Sequence, residues 1–149
     1  MIAYYDGSNF VKQQNYSWGV VLVDDDSYAE FSGFRSYSGK HGSHEVVAFV
    51  ECALYLLSHG HNPQEVTFIT DDAITVYAAQ GFENNGQSFS YGYYLSFQNH
   101  IKNLIKSGFY SQEIIDSVLP FIFQSVFTKI KGHSRIVYNL RCDYLSKNA

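Results

Sequence analysis

Four acidic residues, Asp6, Glu45, Asp71 and Asp143, are the groups in this 149-residue chain whose types and positions suit shared chemistry. Carboxylate oxygens are hard ligands that favour Mg²⁺ or Mn²⁺, whereas a zinc site would recruit more His or Cys. Four such anions brought together repel strongly unless cations share the site. Two divalent ions about 4 Å apart could activate water, hold a scissile phosphate and stabilise a leaving 3′ oxygen. The expected chemistry is therefore metal-assisted phosphodiester hydrolysis, provided the fold brings the four carboxylates to one place.

The elements that must do so alternate in type. Residues 2–5 read as a strand that exits into the turn-forming cluster Asp6-Gly7-Ser8-Asn9, leaving Asp6 at the strand end. Residues 16–23 form a second β-rich run, Asp24-Asp25-Asp26 a polar hairpin connection, and residues 28–37 a third strand. From Ser43 the period changes. Val46, Val47, Phe49, Val50, Ala53, Leu54 and Leu57 recur at helical spacing, with Glu45 in the first turn, where a helix N-terminus favours a carboxylate. Gly60 and Pro63 end that helix, and residues 65–70 read as a strand delivering Asp71 and Asp72.

A short helix to Gly81 follows, and the Gly-, Asn- and Ser-rich residues 82–95 read as a loop. Residues 97–104 and 112–122 read as helices, with Pro120 blurring the end of the second, and residues 125–130 as a strand. A loop at 132–135 leads to a terminal helix from about Asn139 to Lys147, with Asp143 in its first turn or so. Such alternation predicts an α/β fold, in which ligands gather beyond the carboxyl ends of strands; Asp6 and Asp71 share a site if their strands are neighbours.

With 46% hydrophobic and 17% aromatic residues, the chain is suited to one packed domain over residues 1–149, and disordered and fibrous classes are excluded. No apolar run reaches the length of a membrane span and no secretory leader opens the chain, so a cytoplasmic, membrane-free protein is expected. Cys52 and Cys142 are too sparse for a disulfide scaffold and are read as reduced. Ten Lys and Arg against fourteen Asp and Glu give a net charge of −4, which offers a polyanion no long-range attraction. A polyanionic ligand would depend on local basic groups, metal ions or a basic partner protein. A monomer is the default.

In order along the chain, these motifs resemble the type 1 ribonuclease H family of the ribonuclease H-like superfamily. Asp6-Gly7-Ser8 is similar to its first-strand motif, Glu45 in Ser43-His44-Glu45-Val46-Val47-Ala48 to its helix-borne glutamate, and Thr70-Asp71-Asp72 to its Thr-Asp-Ser motif. Lys131-Gly132-His133 resembles the family's histidine loop, and residues 139–145 (NLRCDYL) the segment carrying its last aspartate. The register of this likeness, rather than the residues alone, chooses Asp71 over Asp72.

The resemblance implies a ribonuclease H-like five-stranded mixed sheet, order 3-2-1-4-5, flanked by helices. It further implies an endonuclease that hydrolyses the RNA strand of RNA/DNA hybrids and leaves 5′-phosphate and 3′-hydroxyl ends. Asp6, Glu45, Asp71 and Asp143 would then hold two Mg²⁺ ions, with Mn²⁺ as a substitute, and His133 would orient water, move a proton or aid product release. Lys131, Arg135 and Arg141 are candidate phosphate contacts, and Asn9 and Gln13 candidate contacts to sugar edges. Residues 98–124 carry only Lys102 and Lys106 as Lys or Arg, where many members of the family have a basic handle, so a replication or nucleic-acid-binding protein is an expected partner. Two other readings stand beside this one. One is a nuclease of the same superfamily acting on another duplex or branched substrate; the other is a noncatalytic interaction domain of the same fold.

Overall fold

The structure, a computed structural model, describes residues 1–39, 42–72, 75, 78, 91–129 and 136–149. Five strands form one mixed sheet: β1 (Ile2–Phe10), β2 (Asn15–Asp24), β3 (Ser27–Ser36), β4 (Thr67–Thr70) and β5 (Val126–Lys129), in the order β3-β2-β1-β4-β5. The first three are antiparallel neighbours, while β4 and β5 join in parallel. This is the strand order that the motif resemblance implied. Four helices are described: α1 (His44–Ser58), α2 (Tyr91–Lys106), α3 (Gln112–Gln124) and α4 (Val137–Lys147). Among the described residues, no helix is long and apolar enough to cross a membrane.

Strand alternation sorts the sheet into two faces. Ala3, Tyr5, Tyr16, Trp18, Val20 and Leu22 enter the main core with Val46, Val47, Phe49, Val50, Ala53 and Leu56 of α1. Within it Phe49 and Phe68 meet edge to face at 5.2 Å, and Phe127 stacks on Phe68 at 5.3 Å, joining α1, β4 and β5. On the opposite face Tyr4 and Val21 pack with Cys142 of α4. Both cysteines are buried free thiols.

Several boundaries differ from the sequence reading. The first strand does not turn at Asp6; antiparallel pairing with β2 carries it on to Phe10, and the turn falls at residues 11–14. Pairing with β2 along the whole of β1 overrides the local turn propensity of Asp-Gly-Ser-Asn. Helix α2 begins at Tyr91, inside the stretch read as a loop. Pro120 lies within α3, where its solvent-exposed position leaves the unmatched carbonyl one turn earlier open to water. Helix α4 starts at Val137 with Ile136 at its N-cap and no side-chain cap, so Asn139 lies inside the first turn, buried, rather than capping it. The helix expected to end at Gly81 falls largely outside the described residues, of which Thr75 and Ala78 are helical.

Helix α4 lies close on β2 because Gly19 has no side chain. A Cβ there would sit 2.4 Å from the Cys142 carbonyl oxygen and 2.6 Å from Leu145 Cβ. Ser146 locks the same contact, bridging Ser8 Oγ at 2.9 Å and accepting from Ser17 Oγ through its carbonyl at 2.5 Å. Gly19→Ala is therefore expected to lower the unfolding free energy by about 1–3 kcal/mol. By contrast Gly92→Ala, in α2 where an added methyl meets nothing within 4 Å, is expected to raise it by about 0.5–1 kcal/mol. Urea denaturation of the two variants checks the pair.

Candidate metal centre

Asp6 and Asp71 meet through strand register. Parallel pairing aligns Ile2 with Thr67 and Tyr4 with Ile69, and the same register carried two residues onward sets Asp71 beside Asp6. Asp6 is thus a mid-strand residue, opposite Gly19 of β2, at the point where β4 ends and leaves the sheet surface open. Its Oδ1 accepts from the Gly7 amide at 2.9 Å.

Glu45 is delivered from above by the first turn of α1. Ser43 is the N-cap, at φ −80° and ψ 137°, and its side chain accepts from the Glu45 amide at 3.2 Å. The helix end can come this close because residue 7 is glycine: a Cβ would lie 2.4 Å from the His44 carbonyl oxygen. The outcome is a cluster in which one carboxylate oxygen each of Asp6, Glu45 and Asp71 lie within 4.8 Å of one another.

Asp143 lies on the same open cleft, of about 710 Å³, but outside that triad. It sits seven residues into α4, well past the first turn, because the helix begins earlier than its sequence markers suggested. Asn139, Leu140, Asp143 and Lys147 make one helical stripe along the cleft wall, and Lys147 Nζ pairs with Asp143 Oδ2 at 3.0 Å. Asn9 also lines the cleft, whereas Gln13 is exposed on the β1–β2 turn away from it. Arg141 is turned toward β3, where Glu30 holds its guanidinium in a two-point pair at 2.8 and 2.6 Å. Lys131, His133 and Arg135 lie outside the described residues.

Asp72 is buried, accepts from the Thr75 hydroxyl, and its amide donates to Thr70 Oγ1 at 2.9 Å. This latch shapes the chain just past β4, and with Gly7, Ser146 and Lys147 it belongs to the site features that motif reading passed over. A glycine inside a β-rich run was the available signal for Gly7, since it marks close backbone approach as well as a turn.

The electrostatics fit a hard cation. Burial, then the neighbouring Glu45 and Asp71, push the Asp6 carboxyl up to about 8. Burial, then Asp72 and Asp71, push Glu45 up to about 8. Among the described residues, Glu45 Oε2 is buried without a hydrogen-bond partner, which leaves that acceptor's desolvation uncompensated there. A divalent ion among these oxygens would satisfy that acceptor and relieve the repulsion in one step. Burial also lowers the His44 imidazole below its ordinary value, and its Nε2 lies 3.4 Å from Glu45 Oε1.

No protein-family model matches the chain. A ribonuclease H from Syntrophomonas wolfei is 26% identical over 152 residues, covering 100% of this chain and 94% of that protein. Ribonuclease H1 from the halophilic archaeon Halobacterium salinarum aligns in structure with a TM-score of 0.58 at 14% identity, over 99% of this chain and 95% of that one. LC11-RNase H1, solved in complex with an RNA/DNA hybrid, aligns with a TM-score of 0.57 at 18% identity, over 99% of this chain and 94% of that one.

The raised carboxyls set a pH dependence. Folded, metal-free protein retains protons that the unfolded chain releases near pH 4, so its unfolding free energy is expected to fall as pH rises from about 4 to about 8. Glu45→Gln should flatten that slope, and Mg²⁺ should restore stability at the alkaline end. Urea titrations across this range, with EDTA or with Mg²⁺, measure both; a metal-free profile that rises with pH contradicts the assignment. The chain has the ribonuclease H fold, and its resemblance to type 1 ribonuclease H extends over the whole chain in backbone and, more weakly, in sequence.

Proposed function

We propose that this protein is a single-domain, metal-dependent endoribonuclease that hydrolyses the RNA strand of RNA/DNA hybrids. The observation that carries the reading is the convergence of Asp6, Glu45 and Asp71 on one oxygen cluster, beside the middle of β1 at the point where β4 ends. Crowding three carboxylates together, one buried and two half-buried, destabilises the fold, and ligation of a cation is the chemistry that this arrangement favours.

Asp6, Glu45 and Asp71 would hold Mg²⁺, or Mn²⁺ in its place, with Asp143 joining from α4 once its carboxylate leaves Lys147. The bound ions would supply an activated water and stabilise the leaving 3′ oxygen, giving 5′-phosphate and 3′-hydroxyl ends. Within the chain itself, Lys147 stands on the cleft wall as a cation for phosphate, and Asn9 as a polar contact to the substrate backbone. His133 is assigned to proton movement or product release. Affinity beyond the cleft is assigned to Lys131, Arg135 and a nucleic-acid-binding partner, since the net charge of −4 disfavours a long polyanion. Arg141 would serve only after exchanging Glu30 for phosphate. A second reading, cleavage of a different duplex or branched substrate, draws on the sparse basic charge of residues 98–124.

Asp71→Asn keeps the side-chain volume and removes a ligating charge. Cleavage of an end-labelled RNA/DNA hybrid should fall by two to three orders of magnitude or more, on the order of what loss of a single electrostatic stabiliser does elsewhere, while circular dichroism shows a native fold. Full activity in this variant would sink the assignment. Duplex RNA, duplex DNA and single strands run alongside decide between the two readings. His133→Ala should slow turnover without weakening Mg²⁺ binding, as measured by cleavage rate against metal concentration.

A further inference from the structure

We propose that Tyr37 is a positioning residue that fixes the Asn9 carboxamide with its N–H toward the cleft, as a donor to an acceptor oxygen on the RNA sugar-phosphate backbone. The inference rests on the hybrid-cleaving reading above and adds to it the group that orients one substrate contact.

Asn9 lies on β1 three residues beyond Asp6, about 10 Å along the strand, and lines the same cleft. A free carboxamide offers donor and acceptor ends alike and selects neither. Here the Tyr37 hydroxyl donates to Asn9 Oδ1 at 2.9 Å, which commits the acceptor end to the protein and leaves Nδ2 as the end available to a ligand.

Tyr37 is held through both its backbone and its ring, and the ring's neighbour Tyr16 is anchored in turn. The Tyr37 amide donates to the Gln14 carbonyl at 2.8 Å, its buried ring packs on Tyr16 with centroids 4.5 Å apart, and the Tyr16 hydroxyl donates to the Gly42 carbonyl just before α1. The amide orientation is thus set before a ligand arrives, which reduces the ordering needed on binding. With a cation bound, the carboxylates of the cleft accept and do not donate, so a fixed N–H there joins Lys147 in complementing an oxygen-rich ligand. On an RNA strand that acceptor is either a ribose 2′ oxygen or a non-bridging phosphate oxygen.

The test is steady-state cleavage of an RNA/DNA hybrid by the wild-type chain and by Tyr37→Phe, Asn9→Ala and the double variant. Each is assayed on an all-ribose substrate and on substrates carrying one 2′-deoxy sugar or one methylphosphonate near the cut. Tyr37→Phe should raise KM about three- to tenfold, the range expected for one neutral hydrogen bond, with kcat within about twofold. It should add nothing in the Asn9→Ala background. One acceptor replacement should erase the difference between wild type and Tyr37→Phe, and whether it is the sugar or the phosphate identifies the partner oxygen.

Unchanged KM in Tyr37→Phe, additive losses in the double variant, or a difference that survives every acceptor replacement would overturn the inference while leaving the enzyme reading intact. Failure of the wild-type chain to cut any hybrid would overturn both. Should Tyr37→Phe melt below its native range, Asn9→Asp removes the donor at constant shape on the cleft wall, and an unchanged KM in that variant overturns the inference equally.

Discussion

The first turn of α1 can approach β1 only as far as the side chain of residue 7 permits, and with glycine there the His44 carbonyl comes to rest almost on the strand backbone. The rest of the site depends on this approach. Glu45 follows His44 by one residue, so any lift of the helix end would carry its carboxylate away from Asp6 and Asp71. The Ser43 cap fixes where the helix begins, and the aromatic contacts of Phe49 with Tyr5 and Phe68 hold its first two turns down on β1 and β4.

This placement works against the stability of the metal-free fold. Burial and mutual repulsion raise the carboxyls of Asp6 and Glu45, and one Glu45 oxygen has no partner among the described residues. The compensation lies elsewhere, in the apolar core between α1 and the sheet, whose burial is the main favourable contribution to folding. A divalent cation bound at this candidate site would remove a penalty that is already present. Stability and cation affinity are thus opposite readings of one electrostatic arrangement.

The opposite wall of the cleft is built differently. Helix α4 touches the sheet through small residues, Gly19 on β2 and Ser8, Ser17 and Ser146 around it, which brings its backbone close and sets the height of Asp143. Asp143 is partly solvated and paired with Lys147, whereas Asp6 of the triad is buried. Two walls therefore meet the cleft with different electrostatic character. One is a desolvated cluster of oxygens on β1, α1 and the end of β4; the other is a wetter helical stripe that offers both charges.

How much of this was legible in the sequence follows from the range of the interactions involved. Period and capping are local, so α1 with Ser43 and Glu45, the β2–β3 hairpin at its aspartates, and a strand delivering Asp71 could be read directly, and the family resemblance carried by the ordered motifs implied the strand order later found. Where sequence reading went astray, a distant partner decided the outcome. Pairing with β2 drew β1 through the turn-like Asp-Gly-Ser-Asn, α4 starts uncapped at Val137 with Asn139 buried inside its first turn, and Glu30, 111 positions away, turned Arg141 toward β3. The sequence by itself determined which residues are acidic, which elements carry them and which faces of those elements are apolar. Tertiary structure alone decided that Gly7 serves a helix contact rather than a turn, that three carboxylates share one cluster while Asp143 stands apart, and that Asn9 faces the cleft with its amide oriented by Tyr37. Those outcomes depend on ångström-scale distances between segments far apart in the chain, which local propensity does not encode.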